Sequence, residues 1–293
     1  MLKESFLKYL RYERNYSEHT VVAYGRDLAD FEAYFKEQDA DFDFLKVDSD
    51  MVRSWVVSLM DKHYQSTSVN RKLSVLRSFY HFLLWKGQVR VNPTLKVVGP
   101  KKRKPLPVFV REEDMSRLLD GDMYEDSYCG VRDRTILEVF YSTGIRLSEL
   151  TGMTVADVDL LANVIRVTGK RDKQRIVPFG EPLKKVLEAY LEARNALPTV
   201  QTEALFLGSR GKPIGREVVY SLVREYLSKV VRLKKRSPHV LRHSFATAML
   251  NNGAELEAVK ELLGHERLST TQIYTHTTFE ELKQVYKQAH PRA

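Results

Sequence analysis

The stretch Val91-Asn-Pro-Thr-Leu-Lys-Val-Val-Gly-Pro-Lys-Lys-Arg-Lys-Pro-Leu-Pro-Val-Phe-Val110 divides the chain. Pro93, Pro100, Pro105 and Pro107 remove four backbone donors and, with Gly99, interrupt any helix or strand, so the stretch reads as an extended linker. The expected organisation is an N-terminal domain over 1–98, a basic Pro-rich linker over 99–107 and a second domain over 108–293. Lys101, Lys102, Arg103 and Lys104 suit either an import signal or a tether crossing a phosphate backbone. Their surroundings favour the tether. Between Lys62 and Arg111 there are twelve Lys or Arg and no Asp or Glu, in a chain of net charge +9, while Asp27 to Asp61 is mostly acidic. A concentrated basic window points to a polyanion, and above all to nucleic acid.

Upstream of the linker the periodicity is helical. Ser17 caps a helix carrying Val21, Tyr24, Leu28, Phe31 and Phe35 at three- and four-residue steps. A second runs through Met51, Trp55 and Leu59. A third, from Thr67, places Val69, Leu73, Leu76, Tyr80, Leu83 and Leu84 on one face, and Gly87 ends it. Its opposite face carries Arg71, Ser74, Arg77, Ser78 and His81, short or basic groups that can approach phosphates or enter a major groove. An ordinary solvated face would have the same composition.

Downstream, helices are expected over 112–119, 132–142, 181–194, 216–231, 238–251, 256–263 and 279–287, with another starting at Leu147. One strand pair, Val164–Val167 and Arg175–Pro178, flanks a turn at Gly169-Lys170-Arg171-Asp172. No internal repeat or low-complexity segment is present. The fold class is therefore mainly α with a small β-sheet, in two domains.

Six polar residues of this half have the chemistry to handle a phosphodiester: Arg146, Lys170, His239, Arg242, His265 and Tyr274. Two guanidiniums can clamp phosphate oxygens, Lys and His can move protons, and a Tyr oxygen can attack. Ser237-Pro238 opens a helix, with Ser as cap and Pro in the first turn, so His239 and Arg242 lie near its anion-favouring end. His239 and His243 have the spacing of a zinc pair but lack an accompanying Glu, Cys or carboxylate cluster, so no metal is expected and His243 reads as a buried, hydrogen-bonded side chain. Arg146 follows a glycine turn, and Glu149 is placed to orient it; alone, that pair is indistinguishable from a surface ion pair. Lys170 in its turn and Tyr274 among polar residues are equally weak in isolation.

Together, TGIRLSEL, GKRDKQRIVP, SPHVLRHSFAT, LLGHERLSTTQIYTH and the closing HPRA resemble the tyrosine recombinases, and within them the Xer chromosome-dimer resolvases. The resemblance covers nearly the whole chain. It implies a helical core-binding (SAM-like) domain and an α+β catalytic domain that form a clamp around DNA. It also implies a metal- and ATP-independent reaction without cofactor. Tyr274 is then the nucleophile forming a 3′-phosphotyrosyl intermediate, and Arg146, Lys170, His239, Arg242 and His265 are the activating residues. The partners implied are a double-stranded recombination site and a homo- or hetero-tetramer on synapsed DNA, with a second Xer recombinase and a DNA translocase as further candidates. The implied role is chromosome partition at cell division.

Type IB topoisomerases share this chemistry, and a DNA-binding regulator could share the fold. The intact set of six favours an enzyme, and the compact N-terminal domain and the tail after Tyr274 favour strand exchange. A mobile-element integrase stays open. Thr278 with Glu281 can cap a last helix whose Phe279, Leu282, Val285 and Tyr286 form an apolar stripe. The resemblance implies that this exchange helix is donated to a neighbouring subunit. With no signal-peptide pattern, no apolar run of membrane length and a single Cys129, read as a packed thiol, a cytoplasmic protein without membrane contact is expected. We predict that neutralising Arg71 and Arg77 together weakens DNA binding and flattens its salt dependence by about two phosphate contacts' worth of slope, measured by gel shift at several salt concentrations.

Overall fold

The chain in the computed structural model is described over residues 1–101, 108–169, 173–200, 202–264 and 279–293. Lys102, Arg103, Lys104, Lys170, His265, Tyr274 and Thr278 lie outside the described residues. Two compact units are formed, Met1–Pro105 and Leu106–Ala293.

The first unit is helical throughout its described elements. Its opening helix α1, Leu2–Lys8, runs into a π-helical turn at Tyr9–Glu13 and buries Phe6 and Leu10. The sequence pattern does not reveal this start, because its apolar residues are interleaved with charge. Ser17 accepts a hydrogen bond from the Thr20 amide and caps α2, Glu18–Lys36, which buries Val21, Leu28, Phe31 and Phe35. Asp48 caps α3, Ser49–Asp61, by accepting from the amides of Asp50 and Met51. Helix α4, Ser66–Trp85, ends at Gly87, whose φ of 67° is the left-handed conformation that glycine accommodates.

The buried face of α4 is broader than the expected stripe. It includes Val75, Phe79 and Phe82 as well as Lys72, while Leu84, expected inside, is exposed. Phe79 meets Phe6 edge-on at a centroid distance of 5.3 Å. An ionic cluster joins α2 to α4: buried Asp27 takes both Arg71 and Lys72, and Lys72 also reaches Asp30. Shared partners keep these buried charges from being orphaned.

The linker is less extended than its prolines imply. Thr94 and Val97 are buried, and the side chain of Asn92 accepts from both the amide and the hydroxyl of Thr94. Asn70 donates to the Pro100 carbonyl at 2.8 Å, and a Cβ on Gly99 would lie 2.4 Å from the Asn70 amide oxygen. The first half of the linker is therefore bound to α4. At the other end Val110 is buried in the second unit, and its amide donates to Ser244 Oγ at 2.8 Å.

The second unit is built round one helix. It contains α5, Glu112–Asp120; α6, Tyr128–Thr143; α7, Leu147–Leu150; and the strands β1, Val158–Asp159, β2, Val164–Thr168, and β3, Gln174–Pro178. Then come α8, Glu181–Asn195; α9, Arg216–Val230; α10, Pro238–Asn251; α11, Leu256–Leu263; and α12, Phe279–Ala289. The last nine residues of α6, Thr135–Thr143, are all buried, which is why no simple amphipathic stripe marks it. The sheet is antiparallel in the order β1-β2-β3, with Ile165 opposite Val177 and Val167 opposite Arg175. Strand β1 is too short to be expected from its pattern. Cys129 is half-buried.

The tail docks on its own domain, in place of the expected donation to a neighbour. Leu282, Tyr286 and Ala289 of α12 are buried with Phe245, Met249 and Leu262. His290 stacks on Tyr286, its Nε2 is 3.1 Å from the Tyr141 carbonyl, and burial pushes its pKa down to about 4. Arg292 donates to Glu138 at 2.6 Å and to both Asp120 oxygens at 2.8 and 3.0 Å. Glu138 is fully buried, and this raises its carboxyl pKa even beside the guanidinium. Arg292→Ala should therefore cost about 3–5 kcal/mol in urea unfolding by leaving a buried charge unpaired, and adding Glu138→Leu should restore much of it.

Candidate active site

Two left-handed glycines shape the site. Gly144, at φ 60°, ends α6; a Cβ there would lie 2.6 Å from Phe245 Cδ1 and 2.8 Å from Leu263 Cδ2, so both the turn and the close approach of α10 and α11 require glycine. The turn buries Ile145 and puts Arg146 at the N-cap of α7, where it is half-buried. Gly264, at φ 64°, ends α11 in the same way.

Glu149 organises the cations around it. It is buried, and its Oε2 accepts the Arg146 amide at 2.8 Å while its Oε1 accepts Arg146 Nη1 at 2.6 Å. The expected Arg146–Glu149 pair is present, and its burial separates it from an ordinary surface pair. Burial pushes the Glu149 carboxyl up, but hydrogen bonds from Arg175 and from the Arg146 backbone and side chain outweigh it and hold the pKa at about 2.

Arg242 is buried on α10, donating to the Gly144 carbonyl at 2.6 Å and to the Leu263 carbonyl at 2.7 Å. Burial first, then the positive charges of Arg146 and Arg175, pull its pKa down to about 10, so it remains charged at neutral pH. Arg146 Nη2 donates to the Gly264 carbonyl at 3.0 Å, and Arg175 Nε to the Leu262 carbonyl at 2.9 Å. Three consecutive carbonyls at the end of α11 thus each hold a different guanidinium, at the negative end of the helix dipole. One carboxylate, Glu149, accompanies these three cations, so the cluster carries an excess of two positive charges. A pentacoordinate phosphorane, with its added negative charge, is stabilised by such a preorganised excess.

The structure brings Arg146 and Arg242 together on this frame. His239 is exposed in the first turn of α10, and Ser237 occupies the N-cap position without its hydroxyl making a capping bond, contrary to expectation. His243, expected to be buried, is exposed. Arg175 is the site residue that the sequence reading misses. The signal available is that it shares the inward face of β3 with Val177, two residues on, where a charged residue breaks the apolar alternation.

On the first unit, Arg71, Ser74, Arg77 and His81 are exposed, as the α4 pattern implies. Two of them also have internal work: Arg71 pairs with Asp27, and Arg77 donates to the Val97 carbonyl at 2.7 Å, holding the linker. Lys101 is exposed. No helix among the described residues is long and apolar enough to cross a membrane.

Residues 108–281 match the model of the phage integrase family, and residues 4–87 match the N-terminal SAM-like domain of phage integrases. The chain belongs to the phage integrase family. It is 42% identical to Tyrosine recombinase XerC of Chlorobaculum parvum over 99% of this chain and 94% of that one. It is also 42% identical to the XerC of Listeria innocua over 100% and 98%, and 38% identical to Tyrosine recombinase XerD of Staphylococcus haemolyticus over 99% and 98%. The fold is similar to that of the XerH site-specific recombinase in a post-cleavage complex with its palindromic difH substrate, with a TM-score of 0.74, 20% identity and coverage of 99% and 82%. The chain is thus a site-specific tyrosine recombinase of Xer type, with a helical SAM-like domain ahead of a catalytic domain.

Gly144→Ala should cost at least about 1–2 kcal/mol from the left-handed backbone alone, and should slow DNA cleavage further by shifting the carbonyl that holds Arg242. A thermal melt and a timed cleavage assay on the same preparation check both effects.

Proposed function

We propose that Tyr274 attacks the scissile phosphate of a double-stranded DNA recombination site, in the reaction that resolves chromosome dimers at cell division. The Tyr274 oxygen forms a bond to phosphorus as the bond to the 5′-oxygen breaks, leaving a 3′-phosphotyrosyl link and a free 5′-hydroxyl. His239 assists removal of the Tyr274 proton, and Lys170 supplies the proton taken up by the leaving 5′-oxygen. His265 donates a hydrogen bond to a phosphate oxygen. Arg146 and Arg242 stabilise the charge that accumulates on the phosphorane. The covalent link conserves the phosphodiester energy, so attack by a 5′-hydroxyl from a partner strand completes exchange without ATP, metal or cofactor.

The observation that carries this reading is the cluster of Arg146, Arg175 and Arg242 around Glu149, which gathers positive charge without a metal. Arg71, Arg77 and the linker run Lys101, Lys102, Arg103 and Lys104 contact the DNA backbone. The working assembly is a tetramer on two synapsed sites, homomeric or shared with a second Xer recombinase, and a DNA translocase is a further partner. On assembly α12 transfers from its own domain to the neighbour's equivalent groove, offering the same Leu282 and Tyr286 stripe. The relatives named XerC and XerD support this assignment.

The test is covalent trapping on a duplex that the protein selects from a randomised pool, nicked beside the scissile phosphate so that the 5′-hydroxyl fragment escapes. The wild type should give a DNA adduct that survives denaturation. Tyr274→Phe should give none while its gel-shift affinity stays within about twofold, because one hydroxyl adds little binding energy. A persistent adduct in Tyr274→Phe removes Tyr274 from this role.

A further inference from the structure

We propose that Arg175 is a positioning residue for DNA cleavage: it fixes Glu149, and through it Arg146, against the carbonyl end of α11. The inference rests on the recombinase reaction proposed for Tyr274 and extends it to a side chain outside the six.

Arg175 lies on the inward face of β3, where an apolar residue would serve the sheet as well. Its guanidinium instead forms a fork onto one carboxylate, Nη1 to Glu149 Oε1 and Nη2 to Glu149 Oε2, both at 3.0 Å. Its Nε donates to the Leu262 carbonyl at 2.9 Å. Three donors in one plane thus meet acceptors from two separate elements, a geometry that Lys cannot reproduce.

Both Glu149 oxygens are shared. Oε1 accepts from Arg146 Nη1 as well as from Arg175, and Oε2 accepts the Arg146 amide as well as Arg175. The place of the carboxylate therefore decides the place of Arg146, and Arg175 is the partner that approaches it from the sheet. A Cβ on Gly264 would lie 3.1–3.3 Å from the Arg175 side chain, so the end of α11 rests on this guanidinium. In sequence, Gly264 immediately precedes His265, and Arg175 follows Lys170 by five residues. One side chain thus ties the strand leading from Lys170 to the helix leading to His265, with the Arg146 turn between them.

The charged groups facing Glu149 are Arg146 from the α7 cap, Arg175 from β3 and Arg242 from α10. With all three present Glu149 is held at about 2 and stays ionised through the neutral and mildly acidic range. Such a depressed carboxyl loses its contribution only as pH falls toward that value, so wild-type cleavage should not depend on Glu149 between about pH 5 and pH 8. Without Arg175 the upward push of burial is opposed less, Glu149 takes up a proton at higher pH, and its hold on Arg146 weakens there.

The experiment is single-turnover cleavage of the selected, nicked duplex at saturating protein by wild type, Arg175→Ala and Arg175→Lys across about pH 5 to pH 8, with gel-shift affinity and thermal melting in parallel. Arg175→Ala should bind DNA within about twofold of wild type and cleave up to about 100-fold more slowly, with the deficit widening as pH falls. Arg175→Lys, which returns a charge without the fork, should recover part of the rate and most of the wild-type pH profile. A wild-type rate and profile in Arg175→Ala overturns the assignment, as does a loss equal at every pH that tracks lost thermal stability. If Arg175→Ala does not fold, Arg175→Lys decides alone: a wild-type rate with an unchanged profile overturns the proposal. A wild-type protein that forms no adduct overturns the recombinase reading and this assignment with it.

Discussion

The site depends on the carbonyl end of one short helix. Leu262, Leu263 and Gly264 each present a backbone oxygen to a different guanidinium, from β3, α10 and the α7 cap respectively. A hydrogen bond from a charged donor contributes on the order of 1.5–3 kcal/mol, and here the acceptors would otherwise be unsatisfied at a helix end. Because the acceptors are backbone atoms, the side chains of α11 remain free for packing, and Val259, Leu262 and Leu263 are buried against Phe245 and α12. Cation placement and core packing are thereby assigned to different atoms of the same eight residues.

The surrounding architecture keeps that helix end in place. Helix α6 is buried along its second half, ends at Gly144, and hands the Gly144 carbonyl to Arg242. The two glycines therefore perform the same task on opposite sides of Arg242: each reverses the chain within one residue and leaves a carbonyl pointing at a cation. Glu149 then closes the arrangement as the carboxylate among three guanidiniums, and its burial makes the hydrogen bonds to it strong and its orientation fixed.

Most helices are legible because their apolar spacing and their caps agree; α10 and α11 have the bounds that their sequences imply. Failures occur where tertiary contacts override pattern. Helix α1 interleaves charge with its apolar residues, β1 has only two residues, and α6 is buried too completely to show a stripe. In the site, Arg146 and Arg242 are visible from motif chemistry. Arg175 is not, because a basic residue opening a strand beside a basic turn looks solvated until the fold turns it inward. His243 fails the opposite way: helical spacing alone does not say which side of α10 meets water.

The pairing of Glu138 with Arg292 bears on how the domain is made. The two residues are 154 positions apart, and Arg292 is the charged partner that the described residues supply to this fully buried carboxylate. A ribosome adding about 5–20 residues per second needs roughly 8–30 s to travel that distance. Throughout that interval α6 carries a carboxylate whose burial has no compensating cation, so the core around it is held open while α8 to α11 are already available for packing. Closure of the catalytic domain thus waits for the arrival of Arg292, and a nascent chain stalled short of it lacks the cation its central helix requires.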